Sequence, residues 1–378
     1  MAKKIRFSIL LLMILAVLFQ ACDVVQVDSS PEELGLVEQV WKIIHDDYVE
    51  LDELDDMKLA EAAVKGMVES LGDPYTYYLG KEQTQISSSE LEGDFSGIGV
   101  TVTKKDDELT VVAPIADSPA DKAGVRPGDI IMEVDGESTA GMGLIEATLK
   151  IRGEAGTAVT LLILHEGESS PVEIEITRAK IEIPSVKWEL VNESIAHITI
   201  TNFSGRTASE FREALQEVNE QEIDGIVLDV RNNPGGLVSA AVSVVSEFVG
   251  DGVVVYSLDN KGKKDEWMVE KGGIALEIPL TVLVNDYTAS ASEVVAGSLQ
   301  AHDRAVVIGT TTYGKGKMNL VHDLNNGGSL YVTFAYWYTP DGRQIEQKGI
   351  IPDVRVEAQP DGEDDAWLQQ AVQYLKEL

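Results

Sequence analysis

A serine and a lysine in the last third of the chain have the residue types and the setting of a nucleophile and its base. Ser290 lies in the segment 288–293 (TASASE), and Lys315 lies in the segment 313–317 (YGKGK). Each segment directly follows a β-branched apolar run, and α/β folds place their chemistry where such buried strands end. A lysine can deprotonate a serine if burial keeps its amine neutral. The pattern therefore predicts a Ser/Lys hydrolase.

Both residues also have a purely structural interpretation. Ser290 and Ser292 fall in the first turn of a predicted helix, where backbone N–H groups can stabilise an oxyanion but where serine is also a common cap. Lys315 lies between two glycines, which let the backbone pack closely. Lowering its pKa from about 10.4 toward about 7 to 8 would cost roughly 4 kcal/mol for three units, and a solvated turn lysine is the simpler alternative.

A third candidate element is the segment 229–236 (DVRNNPGG), which begins at the end of another apolar strand. Glycines that precede a helix expose backbone N–H groups, and these can form a nest for an anion. A plain strand-to-helix turn with an ion pair between Asp229 and Arg231 is the alternative.

Other catalytic sites are excluded by spacing. Residues 309–316 resemble a phosphate-binding loop, but Gly316 stands where a hydroxyl must reach magnesium, so nucleotide binding is not expected. The five histidines are scattered without metal-ligand spacing, and the chain has no Gly-x-Ser-x-Gly elbow. We therefore expect neither a metal nor an organic cofactor.

The length of 378 residues allows two or three domains, and the aliphatic content indicates a globular protein. The formal net charge is -34. A polyanionic surface repels phosphate, so nucleic acid is not an expected partner.

The N-terminus has the pattern of an export signal. Basic residues precede the apolar run 7–19, which is shorter than the about 20 residues of a spanning helix. The run leads to Ala21 and Cys22, which resemble the lipobox of bacterial lipoproteins, although Phe19 and Gln20 are bulkier than usual. This predicts lipidation at Cys22 and a membrane anchor outside the cytoplasm. The alternative is a signal cut near Ala21 that leaves Cys22 as a free thiol, and one cysteine allows no intramolecular disulfide.

The rest of the chain predicts a multidomain α/β protein. Apolar residues recur at helical spacing from Leu36 and from Met57, short β-type runs begin near Phe95, and strands alternate with helices from Arg178. Such alternation indicates a mainly parallel sheet with helices on both sides. The predicted segments are a signal sequence (1–22), a tether (23–32), an N-terminal helical hairpin (33–90), a β-rich module (91–177), a strand–helix core (178–355) and a C-terminal helix (356–378).

Taken together, these segments resemble the carboxyl-terminal processing peptidases, which are tail-specific serine proteases with a Ser–Lys dyad. The resemblance extends from about Leu36 to Val354. It implies that residues 91–177 form a PDZ domain and that residues 178–355 form a crotonase/Clp-like peptidase core. The motifs that carry the resemblance are 71–76 (LGDPYT), 95–99 (FSGIG), 118–120 (SPA), 123–129 (AGVRPGD), 229–237 (DVRNNPGGL), 288–293 (TASASE), 312–316 (TYGKG), 339–343 (TPDGR) and 349–353 (GIIPD).

The resemblance also implies a role for individual residues. Four positions after the lysine, the family usually has a glutamine that orients the amine. Here Asn319 occupies that position, and its side chain is one methylene shorter, which changes its reach. The implied roles are Ser290 as nucleophile, Lys315 as base, Asn319 as third member of the triad, the Ala291 N–H with the Gly235 or Gly236 N–H as oxyanion donors, and the backbone of Ile98, Gly99 and Val100 as the site for a substrate's terminal carboxylate.

The sequence and this resemblance together predict an envelope serine endopeptidase whose PDZ domain recognises the C-terminal tails of protein or peptide substrates. The resemblance also implies that the PDZ domain can gate the active site. The charged faces of the helical hairpin are compatible with a homodimer. Asn319 favours a second hypothesis, a peptide-binding PDZ lipoprotein with a degenerate protease core. A hydrolase of non-peptide acyl bonds is a third.

Overall fold

The computed structural model describes residues 31–105, 107–356 and 365–378. The chain divides into two compact units, residues 1–67 and 68–378. The predicted signal sequence and the predicted lipidation site Cys22 lie outside the described residues. No helix in the described part of the chain is long and apolar enough to cross a membrane.

The described part of the first unit is helical, as the apolar spacing predicted. Helix α1 (Leu34–Asp47) and helix α2 (Asp56–Glu69) are separated by a short 3₁₀ turn, and α2 continues two residues into the second unit. His45 at the end of α1 hydrogen-bonds Asp56 at the start of α2 (2.8 Å). The apolar side chains of Leu36, Val37 and Val40 on α1 remain exposed.

A turn, a helix and two short strands follow α2. The chain leaves the helix at Gly72, which has a φ of 63°, and forms β1 (Tyr77–Leu79), α3 (Lys81–Glu92) and β2 (Asp94–Gly97). Helix α3 was not predicted, because its polar sequence has no apolar stripe. Side-chain hydrogen bonds from α3 to a distant strand hold it in place: Thr84 binds Ser329 (2.9 Å) and Ser87 binds Tyr331 (3.2 Å).

An antiparallel sheet with two short helices comes next, and the predicted β-rich content of this module is confirmed. Its strand order is β3-β4-β5-β7-β8, and β6 pairs with β5. Buried aliphatic side chains such as Val111, Ile131 and Leu161 fill its core. The bounds are β3 (Val100–Lys105), β4 (Glu108–Pro114), α4 (Pro119–Lys122), β5 (Ile130–Val134), β6 (Glu137–Ser138), α5 (Leu144–Ile151), β7 (Ala158–Leu164) and β8 (Val172–Thr177).

The remaining residues form two further sheets and their helices. A ribbon of β2 and β9 (Ala179–Glu182) connects the module above to them. The other bounds are β10 (Val186–Val191), β11 (Ile195–Ile200), α6 (Thr207–Asn219), β12 (Gly225–Asp229), α7 (Val238–Ser246), β13 (Val253–Asp259), β14 (Lys264–Met268), β15 (Leu280–Val284), α8 (Ala291–Ala301), β16 (Val306–Gly309), β17 (Lys317–Asp323), β18 (Ser329–Tyr338), β19 (Val354–Arg355) and α9 (Ala366–Lys376).

The main sheet has the order β10-β11-β12-β15-β16-β19, and its pairings are parallel except between β10 and β11. Its central strand β15 is buried at every position, which is typical of a strand covered on both faces. Val282 and Val284 belong to a hydrophobic core with residues of α6, α7 and α8. Leu283, which points to the other face of the sheet, belongs to a second core with residues of α9. The predicted parallel sheet with helices on both sides is confirmed.

A second, antiparallel sheet has the order β1-β18-β13-β14, with β17 also paired to β18. Of these strands the sequence predicted only β18. Strands β14 and β17 have no buried residue, so their apolar residues give no clear signal, and β1 has only three residues. Strand β13 was missed although it contains the apolar run 253–255. Trp337 of β18 packs edge-on against Trp267 of β14 (4.9 Å between ring centroids) and joins this sheet to the core of the main sheet.

The aromatic pair of Phe211 and Phe248 gives a test of this core. Both rings are fully buried and pack edge to face at 5.7 Å. Phe248→Ala should lower the free energy of unfolding by about 3–5 kcal/mol, because it leaves a large cavity. Leu190→Ala on the half-exposed β10 is the control and should cost about 1 kcal/mol or less. Urea unfolding followed by fluorescence measures both, and similar losses would contradict the assigned core.

Candidate active site

Three loops meet at the carboxyl edge of the main sheet. Strands β12, β15 and β16 lie side by side and run parallel, so the segments that follow them emerge at the same edge. Hydrogen bonds connect these segments: Thr288 Oγ1 donates to the Val230 carbonyl (2.9 Å), and the Tyr313 N–H donates to the Thr288 carbonyl (3.0 Å). The sheet therefore brings together the three segments that the sequence singled out.

Ser290 immediately precedes helix α8 and has a strained backbone. Its φ of 57° and ψ of -118° are rare for a residue with a side chain and cost on the order of 1–3 kcal/mol. Ser290 is partly exposed. Ser292, by contrast, is fully buried, and its Oγ donates to the Asn233 carbonyl (3.0 Å). Of these two serines, Ser290 is therefore the one that a substrate can reach.

A buried carboxylate connects Ser290 to Lys315. Glu293 is fully buried, and its Oε1 accepts hydrogen bonds from Thr312 Oγ1 (2.5 Å) and the Gly314 N–H (2.7 Å). Its Oε2 accepts from the backbone N–H groups of Ser290 and Lys315, both at 2.8 Å. The two nitrogens can therefore be no further apart than twice that distance. Four donors use the full accepting capacity of one carboxylate.

Burial changes the ionisation of both Glu293 and Lys315. It raises the pKa of the Glu293 carboxyl, although the hydrogen bonds to that carboxylate oppose the shift. It lowers the pKa of the Lys315 amine, and the nearby Glu293 charge only partly opposes this. A lowered pKa increases the fraction of neutral amine, which is the form that can accept a proton.

The glycine pair packs against Ser290. Gly235 has a φ of 100°, and a Cβ there would lie 2.7 Å from Ser290 Cβ and 2.9 Å from the Ala291 nitrogen. The Gly235 N–H donates to Asn233 Oδ1 (2.9 Å). The N–H groups of Gly236 and Ala291 have no acceptor among the residues that the structure describes. Of the two glycines left open by the sequence, Gly236 is thus the one with a free donor.

Asn319 lies on β17, four positions after Lys315. Its Nδ2 donates to the Tyr75 carbonyl (2.5 Å), and the Tyr75 ring centroid lies 5.3 Å from Lys315 Nζ. The structure thus places the amide of Asn319 on a residue that contacts the lysine. The predicted role of Asn319 in orienting the amine stays a prediction.

Several residues at this site were missed by sequence reasoning. Glu293 lies three positions after Ser290, where an acidic side chain often caps a helix, and that pattern could have indicated its structural role. Asp73 and Tyr75 lie in the motif 71–76 and Lys317 lies in the segment of Lys315, but sequence reasoning assigned no role to these three residues. They meet because β1 and β17 both pair with β18, which brings Lys317 to the turn at Asp73 (2.8 Å between Lys317 Nζ and Asp73 Oδ1).

The predicted site for a substrate tail is separate from this cluster. Ile98 and Gly99 lie between β2 and β3, and Val100 begins β3. Gly99 has a φ of 74°, and its carbonyl accepts from Ser118 Oγ (2.9 Å), which shapes the loop. Among the described residues, the N–H groups of Ile98 and Gly99 have no acceptor. A small cleft beside them is lined by the Ile98–Val100 loop and by side chains from β2, β3 and α5, with the Arg152 guanidinium that follows α5.

Family models match three parts of the chain. Residues 194–356 match peptidase family S41, residues 110–164 match the PDZ domain, and residues 20–83 match the N-terminal domain of the activating protease CtpB. The exact domain boundaries predicted from the sequence stay predictions.

Individual relatives of the chain agree with these family matches. A probable CtpA-like serine protease of Staphylococcus aureus (strain COL) is 39% identical over 333 residues, which cover 87% of this chain and 66% of that protein. The carboxy-terminal processing protease CtpA of Bacillus subtilis (strain 168) is 37% identical over 330 residues, covering 87% and 70%. The solved structure of a photosystem II D1 C-terminal processing protease has a TM-score of 0.52 at 29% identity, covering 87% and 94%. The chain thus spans about two thirds of the length of these two curated relatives.

Glu293→Gln tests whether the buried carboxylate holds the site together. The amide keeps the shape of the side chain but replaces one acceptor oxygen by a donor, so two of the four donors lose their acceptor. The free energy of unfolding, measured with urea, should fall by about 3 kcal/mol or more.

Glu346→Gln is the matched control. Glu346 Oε2 accepts from the Gly316 N–H (2.9 Å), and the amide oxygen of glutamine can accept the same bond. The expected loss is about 1 kcal/mol or less. If both variants lost the same free energy of unfolding, a special role for Glu293 would be contradicted.

Proposed function

This chain belongs to the carboxyl-terminal processing peptidases of family S41, and from that premise we propose that it cleaves peptide bonds with Ser290 as nucleophile and Lys315 as base. The observation that carries the proposal is the shared oxygen of Glu293, which accepts from the backbone N–H of both residues. Because this bond is buried, the two side chains start from fixed positions on adjacent loops. Such fixed geometry is what proton transfer between them requires.

The chemistry follows from this arrangement. Neutral Lys315 takes the proton of Ser290 Oγ while that oxygen attacks the scissile carbonyl carbon. The negative charge that forms on the carbonyl oxygen is stabilised by the free N–H groups of Ala291 and Gly236. The protonated amine then gives its proton to the leaving nitrogen, and an acyl-enzyme remains. Water, deprotonated by Lys315, hydrolyses that ester and regenerates Ser290.

Substrate selection is assigned to the PDZ domain. An extended tail can add as a strand beside β3, and its terminal carboxylate can accept from the free N–H groups of Ile98 and Gly99. The guanidinium of Arg152 lies over the Phe95 ring (4.3 Å) in the same cleft and adds positive charge to it. The free N–H groups and the positive charge of this cleft support the recognition of proteins and peptides with accessible C-termini.

The location of the protein is proposed from its N-terminal sequence. Export and lipidation at Cys22 would hold the enzyme at a membrane surface in the cell envelope. A homodimer through the N-terminal helices stays a prediction.

A second candidate function is that of a peptide-binding PDZ lipoprotein with an inactive core. Asn319 favours it, because this residue replaces the family's glutamine and its amide is engaged by the Tyr75 carbonyl. The buried hydrogen bonds to the backbone of Ser290 and Lys315 support the first proposal, an active peptidase.

Removing either member of the dyad separates the two functions. The full chain in detergent is incubated with an unfolded protein that ends in apolar residues, and the products are followed by mass spectrometry. Ser290→Ala and Lys315→Ala should each slow cleavage by about 10³-fold or more. Lys271→Ala changes an exposed lysine away from the site and should cleave at the wild-type rate.

Two outcomes would contradict the proposed enzyme. Cleavage that persists in Lys315→Ala would remove the lysine from the mechanism. A wild-type protein that binds the tail but cuts nothing would favour the inactive PDZ protein.

The tail site is tested by binding, with the Ser290→Ala chain so that no peptide is consumed. A fluorescent peptide with an apolar, free C-terminus should bind at least about tenfold more tightly than the same peptide amidated at its C-terminus, because the amide leaves the Ile98 and Gly99 donors poorly paired. Acetylation at the peptide's other end is the control and should not change the affinity. Equal affinities for free and amidated tails, measured by anisotropy, would contradict carboxylate recognition.

A further inference from the structure

Tyr75 belongs to a turn that lies far from the peptidase core in sequence, yet its ring contacts the proposed base. The ring centroid is 5.3 Å from Lys315 Nζ and 5.4 Å from Lys317 Nζ. Neither the nucleophile loop nor the glycine pair supplies an aromatic contact of this kind to the lysine among the described residues. The ring is therefore part of the wall around Lys315.

Asp73 fixes the turn that carries this ring. Its carboxylate accepts from Lys317 Nζ (2.8 Å), from Thr76 Oγ1 (2.7 Å) and, more weakly, from the Tyr75 N–H (3.4 Å). Burial acts to raise the pKa of Asp73, but the bonds from Lys317 and Thr76 outweigh it and hold that pKa well below its usual range. The hydrogen bond from Lys317 to Asp73 raises the pKa of Lys317, so that amine stays charged.

The other side of the turn is held by the strands next to Lys315. Asn319 Nδ2 on β17 donates to the Tyr75 carbonyl (2.5 Å), and the Thr333 N–H on β18 donates to Thr76 Oγ1 (3.0 Å). The turn is therefore fastened at its beginning, middle and end. A ring on such a turn has little freedom to leave the lysine.

We propose that Tyr75 is a positioning residue for Lys315, which covers the amine, excludes water from it and limits where it can point. This inference rests on the proposed function of Lys315 as the base. It also assigns a role to Asn319: the shorter amide acts on the lysine through Tyr75, by holding the carbonyl of the residue whose ring does the shielding.

Two opposing effects decide how the ring changes the amine. An aromatic face attracts an ammonium ion, and this attraction is modest. Exclusion of water destabilises the ammonium ion and is the stronger effect for a buried lysine. The pKa of Lys315 is lowered, with burial as the first cause, which agrees with shielding as the dominant effect.

Ionisable groups from several elements surround the pair of Lys315 and Tyr75. Burial, with the neighbouring Tyr313, raises the pKa of Tyr75 to about 12, so Tyr75 itself does not ionise in the pH range of the assay. A change in the pH profile below that value therefore reports on another group. The groups that face the pair are Asp73 from the turn, Tyr313 and Lys317 from the lysine's own segment, Glu293 from α8, and Glu346 from the segment after β18.

The test is the pH dependence of kcat/KM for the full chain. Tyr75→Leu should lower kcat/KM at pH 7 by about tenfold or more and move the rising limb to higher pH by about one unit, because a more exposed Lys315 holds its proton longer. Tyr75→Phe keeps the ring and should therefore retain most of the wild-type kcat/KM. Tyr77→Leu is the matched control: it removes a ring that stacks on Tyr331 (4.6 Å), two positions along the same segment, and should keep the wild-type profile.

A double variant tests the role given to Asn319. Asn319→Ala should shift the rising limb in the same direction as Tyr75→Leu. In a Tyr75→Leu background, Asn319→Ala should add little further shift, because both changes act through the same ring. Additive shifts would contradict an action of Asn319 through Tyr75.

Two other outcomes would overturn the inference about Tyr75. If kcat/KM of Tyr75→Leu falls by the same factor at every pH, the role of the tyrosine is merely structural. If the pH profile of kcat/KM is unchanged, Tyr75 has no role at the site. If Ser290→Ala or Lys315→Ala leaves cleavage intact, the proposed function fails instead. The pH dependence of Lys315 labelling by an amine-reactive reagent, mapped by mass spectrometry, then still decides whether Tyr75→Leu raises the pKa of that lysine.

Discussion

The carboxylate of Glu293 is the interaction on which the geometry of the site depends. A buried charge is costly unless hydrogen bonds satisfy it, and here four donors do so, three from the loop 312–315 and one from Ser290 at the start of α8. Two of these donors are the backbone N–H groups of Ser290 and Lys315. The same bonds that make the burial of Glu293 tolerable therefore also limit the distance between the backbone nitrogens of the proposed nucleophile and the proposed base.

The parallel sheet makes this arrangement possible. Adjacent parallel strands release their loops at one edge, so three segments that are far apart in the chain meet there. Close approach then depends on a residue without a side chain: any Cβ on Gly235 would collide with Ser290. The strained backbone of Ser290 persists because these neighbours determine it from every side.

The sequence predicted the parts of the fold that are buried on both faces or that follow a regular period. Strand β15 and the core of the PDZ domain are examples, because their apolar runs have no other stable location. Helix α3 was missed because polar side chains hold it, and strands β14 and β17 were missed because none of their residues is buried. Strand β13 was missed although it contains the apolar run 253–255.

The candidate site was predictable in its residue types but not in its connections. Ser290 and Lys315 followed from the strand–turn pattern and the family resemblance, which left Gly235 and Gly236 as alternatives. Only the structure gives the Gly235 N–H an acceptor, at Asn233. The contact between Tyr75 and Lys315 depends on the pairing of both β1 and β17 with β18, which no local pattern encodes.

The most direct measurement of the central claim is covalent trapping of the nucleophile. The full chain is treated with a fluorophosphonate at a series of pH values, and the modified residue and its rate are determined by peptide mapping. The account predicts a single adduct on Ser290, formed faster as pH rises and strongly slowed in Lys315→Ala. An adduct on another serine, or labelling of Ser290 that does not depend on Lys315, would contradict it.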